Sequence, residues 1–267
     1  MWILWGCREV AIRSIRHGGG RMADWVALDT STDRQALARR LEQAHFAMVS
    51  GGDGTGDVPA GLRAVVSRSW QRSTVAGVDP TGGLPPRVMD RAHTSARWAE
   101  HPLSAAEPVV RRLLEDIGDD TNLAAICDAD GTLLWTAGRP SAIDRAADDG
   151  IEPGTLWTEA AIGTNGLGTA LQEAHPVQIF SGEHFAAPMH RWVCSAAPIY
   201  DPLSGEVLGA LDISGASATA HPHSLAVVSL AARAIEQQLL TDAQVHARRV
   251  LRLPEASLAV LGRDRGV

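Results

Sequence analysis

The chain has 267 residues, 45% of them hydrophobic, and carries a formal net charge of -7 at pH 7. This length and composition predict one large or two small globular domains and exclude disorder throughout the chain. The negative charge supplies no overall basic field that would attract a phosphate backbone, so direct DNA binding by this chain is not expected.

The cysteines and the N-terminal residues indicate the redox environment of the protein and whether it associates with a membrane. Cys7, Cys127 and Cys194 are too few and too widely spaced for a disulfide framework or a zinc ribbon. A reducing, cytoplasmic environment is therefore expected. The apolar stretch Met1–Gly6 is much shorter than a membrane span and lacks the basic region of a signal peptide, so no membrane association is expected.

A second methionine follows the glycine run of residues 18–20. Such a run is the expected translation of a purine-rich ribosome-binding sequence. We therefore expect Met22 to be the true start and residues 1–21 to contribute neither structure nor function.

Helical patterns occupy the chain up to residue 120. Thr32 and Gln35 have the spacing of a capping box and predict a helix that ends at about Val49. Residues 50–56 have the composition of a flexible linker. Three further helical segments are predicted: Pro59–Val75, Arg87–Trp98 and Leu103–Asp116.

Apolar runs bounded by turn residues follow, and they predict strands in two hairpins. Ala129–Gly131 and Asp201–Gly205 are the expected turns of the hairpins. A long amphipathic helix is then predicted from Leu225 to about Val250. The predicted strands are Leu123–Asp128, Thr132–Thr136, Pro176–Phe180, Arg191–Tyr200 and Glu206–Ser214.

Hairpin strands between helical regions indicate an α+β fold with an antiparallel sheet flanked by helices and preceded by a helical N-terminal region. The expected organisation is a non-native or disordered extension over 1–21, a helical region over 22–120, a sensory domain over 121–242, and a helical stalk and tail over 243–267.

Glycines and polar residues are concentrated in Gly154–Thr169. Glycines let backbone amides approach a ligand closely, and the polar side chains among them can orient it. The spacing of Gly163, Gly166 and Gly168 matches neither a dinucleotide-binding fingerprint nor a Walker loop. Nucleotide binding is therefore not favoured.

Two alternatives concern the histidines and cysteines. His184, His190 and Cys194 are of ligand type for zinc or iron, but their spacing matches no standard zinc template, so no metal site is expected. Cys127 and Cys194 fall in strands that look adjacent and could form a redox pair. Burial of both as small apolar side chains is the favoured interpretation.

Tryptophans in the sheet region allow two interpretations. Trp135, Trp157 and Trp192 could line an apolar pocket or belong to the core, and the sequence leaves both open. No nucleophile assembly is found, because the G-x-S-x-G pattern is absent and Asp212–Gly215 looks like a strand end. No catalytic residue and no cofactor are predicted.

A family resemblance rests on five segments: Leu156–Leu171, Pro176–Val177, Glu183–Phe185, Cys194–Ile199 and Gly209–Gly215. Together they resemble the sensory domain of acetoin-catabolism-type transcriptional activators, which is a GAF domain. Val66–Ser73 and Ala76–Pro80 resemble the segment that precedes this domain in the same regulators.

The resemblance implies a small-molecule effector that is bound between the sheet and the loop and helix of Gly163–Thr169. Most candidate ligand-binding residues fall on the family pattern; Trp135 and Glu159 are added because of their position and residue type. The full set is Trp135, Trp157, Glu159, Thr164, Asn165, Gly168, Thr169, His184, Phe185 and Cys194.

Such regulators usually continue into an ATPase module that contacts the sigma-54 form of RNA polymerase, and into a Fis-like helix-turn-helix. This sequence contains no Walker loop and no recognisable helix-turn-helix. It is expected to be a sensor without its output modules, which contacts DNA only indirectly and signals as a homodimer through the long helix that starts near Pro222.

Two alternatives stay open. One is a catalytic GAF protein of the free methionine sulfoxide reductase type that uses Cys127 and Cys194. The other is a truncated paralogue without output, which only dimerises with full-length regulators.

Overall fold

The computed structural model describes residues 22–50, 59 and 61–251. The expectations for residues 1–21, for the linker after Ser50 and for the tail beyond residue 251 lie outside these ranges.

The helices are α1 (Met22–Trp25), α2 (Arg34–Ser50), α3 (Ala64–Val75), α4 (Arg91–Glu100), α5 (Glu107–Ile117), α6 (Pro140–Asp148), α7 (Glu159–Ile162), α8 (Gly166–Glu173) and α9 (Ser224–Leu251). The strands are β1 (Leu123–Asp128), β2 (Leu133–Gly138), β3 (Val177–Phe180), β4 (Trp192–Tyr200) and β5 (Val207–Ala216). Short 3-10 turns occur at Pro102–Ala106, Ser181–Glu183, Ala187–Arg191 and Ser217–Thr219.

The five strands form one antiparallel sheet in the order β2-β1-β5-β4-β3. β5, the last strand within the described ranges, therefore lies at the centre, between β1 and β4. Both predicted hairpins are present, as β1–β2 and β4–β5. The predicted α+β fold with an antiparallel sheet is confirmed.

Turn chemistry explains the two hairpins. Asp128 Oδ1 accepts hydrogen bonds from the N–H groups of Asp130 and Thr132, and Gly131 adopts a left-handed φ of 83°. In the second hairpin, Asp201 Oδ1 accepts from the N–H of Leu203 at 2.8 Å, and Gly205 has a φ of 76°. Asp side chains and glycines in these roles are what tight turns require.

Residues of β5 alternate between the two faces of the sheet. Leu211 and Ile213 point to the face that carries the main apolar core, together with Val228 and Ile235 of α9. Asp212 points to the opposite face, where Gly166 at the start of α8 approaches it. The α8 and α9 helices therefore pack against β4 and β5 from opposite sides.

The N-terminal helices share this core. Val65, Val66 and Trp70 of α3 are fully buried in the main apolar cluster. The Trp70 indole N–H donates to the carbonyl of Glu183 at 2.8 Å, which fastens α3 to the turn after β3. Leu41 of α2 packs in a smaller cluster with Phe180.

The predicted starts of α2, α3 and α4 were wrong. The helix predicted to begin at Pro59 begins at Ala64, after the N-cap Arg63. The capping box assigned to Thr32 is not formed: α2 begins one residue later, and Asp33 Oδ1 accepts from the N–H groups of Gln35 and Ala36. Thr32 Oγ1 instead accepts from the N–H of Asp29. The helix predicted to begin at Arg87 begins at Arg91, after the N-cap Asp90.

The extended backbone at Arg87 explains why α4 begins later than predicted. Arg87 forms an isolated antiparallel bridge with Thr155, outside the named strands, so its backbone is extended where a helix was predicted. The segment predicted as Leu103–Asp116 is a 3-10 turn over Pro102–Ala106 followed by α5.

Among the helices in the described ranges, none combines the length and the apolar character that crossing a lipid bilayer demands.

Candidate functional site

The glycine-rich segment, residues Gly154–Thr169, contains α7, a tight turn and the first turn of α8. Asn165 fixes the turn: its Oδ1 accepts from the N–H of Gly168 at 2.8 Å, and its Nδ2 donates to the carbonyls of Trp157 and Gly163 at 3.0 and 2.8 Å. An asparagine N-cap of this kind satisfies the free N–H groups of the first helical turn. The side chain therefore holds both ends of the turn in place.

Two glycines of the segment are required by space or by backbone conformation. Gly163 has a φ of 76°, and a β-carbon there would lie 2.4 Å from Phe185 Cβ. A β-carbon at Gly168 would lie 2.3 Å from the carbonyl oxygen of Trp157. The segment is therefore closed tightly onto its neighbours.

A buried polar cluster joins α3 to this segment. Ser69 Oγ donates to Glu159 Oε1 at 2.6 Å, and the hydroxyl groups of Ser69 and Thr164 are 2.5 Å apart. The Thr169 hydroxyl lies 3.4 Å from the same Ser69 Oγ. These four side chains are at most 6% exposed.

Arg72 closes the outer side of this cluster. Its Nε lies 2.5 Å from Glu159 Oε2 and its guanidinium also pairs with Glu173 of α8. The hydrogen bond to Glu159 raises the pKa of Arg72 above its ordinary value, although burial opposes this shift. The cluster is thus sealed by a charge pair that links α3 with α7 and α8.

A second polar group lies on the sheet beneath α8. His184 Nε2 is 3.3 Å from Cys194 Sγ, and Ser214 Oγ lies 3.2 Å from the same sulfur. Ser214 Oγ also contacts Asp212 Oδ2 at hydrogen-bonding distance. Gly166 covers this group, because a β-carbon there would lie 2.7 Å from both Asp212 Oδ1 and Cys194 Cβ.

Burial determines the ionisation of this second group. Desolvation lowers the pKa of His184 to about 3 and raises the pKa of Cys194 well above its ordinary value. Desolvation also raises the pKa of Asp212 to about 7. At neutral pH the imidazole and the thiol are both neutral, so they do not form the thiolate–imidazolium pair that nucleophilic cysteines use.

The structure brings most of the predicted site residues together around the glycine-rich segment. Glu159, Thr164 and Thr169 share the first polar cluster, and His184 and Cys194 share the second. Trp157 is 5% exposed and packs in the apolar cluster on the face that contains Cys194.

The remaining aromatic residues differ in position. Phe185 packs edge-on against Trp70 and lies against Gly163. Trp135 lies apart from the other predicted residues: it belongs to the main core, stacks on Trp98 at 5.6 Å between ring centroids, and is covered by the guanidinium of Arg111.

Four residues of the two clusters were not predicted: Ser69, Arg72, Asp212 and Ser214. Asp212 had a visible signal, since it is a charged residue inside the apolar run of β5, but it was predicted to be part of a strand end. Ser69 and Arg72 fall in the upstream segment that carried part of the family resemblance. Their connection to Glu159 depends on tertiary packing, 90 and 87 residues along the chain.

The two cysteines are not in adjacent strands, which corrects that expectation. Cys127 pairs with Ala210 and Cys194 pairs with Ser214, so β5 lies between them. Two strand spacings of about 4.8 Å and four residues of about 3.3 Å separate them by roughly 16 Å. A disulfide needs Cα atoms closer than about 7 Å, so the pair cannot form one in this fold.

Metal-ligand side chains are also dispersed. His190 Nε2 lies 3.2 Å from the carbonyl oxygen of His184, and it does not join the contact between His184 and Cys194. Within residues 22–50, 59 and 61–251, no three His, Cys, Asp or Glu side chains form a group that could hold a metal ion.

A surface pocket of about 380 Å³ lies away from both clusters. It is bounded by the end of α5, the loop that follows it and the end of β2, and its lining includes Arg111, Asn122 and Arg139. None of the predicted site residues lines this pocket.

Sequence relatives include proteins named as operon activators. The acetoin dehydrogenase operon transcriptional activator AcoR of Bacillus subtilis (strain 168) is 37% identical over 182 residues, which are 67% of this chain and 30% of that protein. The propane 2-monooxygenase operon transcriptional activator MimR of Mycolicibacterium smegmatis is 31% identical over 185 residues, 68% of this chain and 31% of that protein.

A third relative and a solved structure extend the comparison. A Rhodococcus erythropolis protein described as an uncharacterized 47.3 kDa protein in the thcA 5' region is 40% identical over 220 residues, 80% of this chain and 50% of that protein. A chain in the crystal structure of the Escherichia coli DhaR(N)–DhaL complex matches with a TM-score of 0.64 and 21% identity, over 70% of this chain and 65% of that chain. The latter likeness shows a shared fold.

The aligned region spans half or less of each of these three sequence relatives. The resemblance to acetoin-type regulators is confirmed by these matches. A family model described as MimR, N-terminal domain, matches residues 20–237. This chain belongs to the MimR N-terminal domain family.

Proposed function

We propose that this protein is the small-molecule-sensing region of a bacterial transcriptional regulator of catabolic genes. The observation that carries the proposal is membership in a family whose named relatives activate operons for acetoin and propane metabolism. The matched region contains the sheet and the glycine-rich segment, so the sensing role is assigned to this part.

The effector site is proposed to lie between the sheet and the segment of residues 163–169. Support comes from the two buried polar clusters, of which one contains Glu159, Thr164 and Thr169 and the other His184 and Cys194. The other candidates near the segment pack on it or fix its turn: Trp157, Asn165, Gly168 and Phe185. Pocket sites of small ligands combine apolar walls with a few convergent polar groups, and this region has both. Trp135 is a candidate on the far face of the sheet, and it would act through the core.

A route from this site to a dimer interface is supported by the packing. The α8 and α9 helices contact β4 and β5 from opposite faces. In the closed state that the structure describes, Gly166 lies against Asp212. An effector that favours one position of α8 would shift the population of β4–β5 arrangements and hence the angle of α9.

We propose that α9 signals through a homodimer and that any contact with DNA is indirect, through modules of the type found in longer regulators. The fold is proposed to be of GAF type, with residues 121–242 as the sensory domain, 22–120 as a helical N-terminal region and 243–267 as a stalk and tail. A cytoplasmic location fits this role.

We also propose that the chain is not an enzyme and needs no cofactor. The neutral, buried state of the Cys194 thiol and the roughly 16 Å between the two cysteines argue against a methionine sulfoxide reductase that relies on them. The competing hypothesis is a protein that binds no effector and only dimerises with related regulators.

The first experiment is a thermal-shift screen of the purified chain against short diols, ketones, alcohols, phenols and nucleotides. A ligand at a hundredfold excess over its dissociation constant adds about 2.7 kcal/mol of stability, which raises the melting temperature measurably. We expect a hit among the small organic compounds that is lost in Trp157→Ala or Asn165→Ala and kept in the exposed control Leu203→Ala.

Analytical sedimentation of the same samples tests whether the protein is a dimer. A folded dimer that responds to no compound in the screen would contradict the effector hypothesis and favour a protein that only dimerises with related regulators. A hit that survives both substitutions would place the effector elsewhere in the molecule.

A further inference from the structure

Only one of the two carboxyl oxygens of Asp212 has a hydrogen-bond partner. Its side chain lies at the centre of the sheet and is 3% exposed. Ser214 Oγ donates to Oδ2, but Oδ1 has no hydrogen-bond partner, although it is fully buried. A buried acceptor without a partner costs free energy, so native proteins seldom retain one without a purpose.

Small residues surround this oxygen. The cross-strand neighbours of Asp212 are Ala125 on β1 and Ala196 on β4, and Gly166 of α8 lies above it. Because alanine side chains are short, the Asp212 carboxyl group extends further from this face of the sheet than its cross-strand neighbours do. A β-carbon at Gly166 would come within 2.7 Å of Oδ1, so the carboxyl group is directed at the start of α8.

The charge of Asp212 is not balanced by a protein cation. In the part of the chain that the structure describes, it forms no ion pair. Desolvation therefore raises its pKa to about 7. Above pH 7 the ionised carboxylate can only accept hydrogen bonds, so a partner for Oδ1 must be a donor.

We propose that Asp212 is the polar anchor of the effector site, and that its Oδ1 accepts a hydrogen bond from the hydroxyl group of a small neutral alcohol. This inference rests on the proposed sensory function and names the chemistry of its ligand. Entry of the alcohol requires the turn of residues 163–166 to move away from the sheet, which breaks the hydrogen bonds of Asn165 Nδ2 to the carbonyls of Trp157 and Gly163. The hydrocarbon part of the bound alcohol then contacts apolar residues of this face, which include Trp157 and Leu167.

The chemistry predicts a discrimination between alcohols and ketones of the same carbon skeleton. A ketone offers only an acceptor, and a carbonyl oxygen beside a carboxylate oxygen leaves both without a donor. The 267-residue chain is therefore titrated at pH 8 with two matched pairs, 2-butanol against 2-butanone and cyclohexanol against cyclohexanone. Binding is measured by calorimetry and by the shift in melting temperature.

We expect at least one alcohol to bind at least tenfold more tightly than its ketone. In Asp212→Asn this preference should fall to less than threefold, because the amide offers a donor as well as an acceptor. The control Asp130→Asn changes a carboxyl group whose side chain is 83% exposed, and it should keep the full preference.

A pH series on the unmodified chain gives a test that does not depend on folding of a variant. Alcohol affinity should fall as the pH decreases from 8 to 5.5, because Asp212 becomes protonated. The titratable groups nearest to it are Cys194 on β4, Cys127 on β1 and His184, and their shifted pKa values keep all three neutral across this interval. The residue that faces Asp212 from α8 is Gly166, which does not titrate.

The outcomes separate this inference from the sensory function itself. Equal binding of alcohol and ketone, or a preference that survives Asp212→Asn, would overturn the anchor but leave a small-molecule sensor intact. Failure of all four compounds to bind would also overturn the anchor. If the broader thermal-shift screen then yields a ligand of another class, the proposed function survives, and if it yields none, both fail.

Discussion

Gly168 lies against the backbone of Trp157: a β-carbon built on Gly168 would be 2.3 Å from the Trp157 carbonyl oxygen. This contact joins the first turn of α8 to Trp157, which lies two residues before α7. The opposing atom belongs to the backbone and is also the acceptor for Asn165 Nδ2. It therefore cannot move aside at low cost.

The first prediction concerns this contact. Alanine normally favours a helix over glycine by about 1 kcal/mol, but overpacking of a closed site costs about 1–3 kcal/mol, and the clash should dominate in Gly168→Ala. We expect lower stability in urea denaturation. The control is Gly83→Ala, where nothing lies within 4 Å of the added carbon. Equal stability of the two variants would show that the segment is not closed onto Trp157.

The second prediction compares a buried with an exposed ion pair. In Glu159→Gln, Arg72 loses a charged partner and Ser69 loses a carboxylate acceptor. We expect a loss of about 2 kcal/mol in the free energy of unfolding, since a hydrogen bond to a charged group contributes about 1.5–3 kcal/mol, while Arg72 keeps its second partner Glu173. Glu152→Gln removes the exposed partner of Arg87 and should cost less than about 1 kcal/mol. Equal losses would contradict a structural role for the α3–α7 connection.

The third prediction uses the pKa of Asp212, which burial raises to about 7 from an ordinary value of 3.8. Between these two values the folded state binds the proton and the unfolded state does not, so this group destabilises the fold as the pH rises from about 4 to about 7. Relative to Asp212→Asn, the unmodified chain should lose about 2 kcal/mol of stability between pH 5 and pH 8.

The comparison with the variant removes the contribution of other groups. His184 acts in the opposite direction, because its lowered pKa causes stability to be lost as the pH falls through about 6.5 towards 3. Both proteins retain His184, so the difference between their pH profiles isolates Asp212. Parallel profiles from pH 5 to pH 8 would mean that Asp212 is paired in solution.

The fourth prediction concerns the cysteines. Burial raises the pKa of both Cys127 and Cys194, and a thiol reagent needs access to a thiolate. In a Cys7→Ser background, we expect neither thiol to react with an aromatic disulfide reagent in buffer and both to react in guanidinium chloride.

Turnover provides the matching functional measurement. The same Cys7→Ser protein should not reduce free methionine sulfoxide in the presence of dithiothreitol. Rapid labelling of Cys194 in buffer, together with turnover that Cys194→Ser abolishes, would support the enzymatic alternative instead.

The sequence predicted local features well and tertiary ones poorly. The strands and both hairpins could be predicted because turn residues such as Asp128 and Gly205 act on their immediate neighbours. The order of the strands could not, since the position of β5 between β1 and β4 depends on pairing between distant segments.

The candidate site shows the same division. Glu159, Thr164 and Asn165 were recognised because they occur together in one unusual stretch of sequence. Their partner Ser69 lies 90 residues from Glu159, and nothing in its local sequence indicates a buried contact with a carboxylate. The importance of Asp212 depends on what lies above and beside it, and only the folded chain shows this.

The central place of β5 also constrains how the protein is made. The sheet is continuous only after residues 207–216 have left the ribosome; before that, β1–β2 and β3–β4 have no common strand between them. At a synthesis rate of roughly 5–20 residues per second, the first hairpin waits on the order of 5–20 seconds for its partner. During this interval the open edges of β1 and β4 are exposed to other nascent chains, so the yield of folded protein should depend on chaperones that bind unpaired strands.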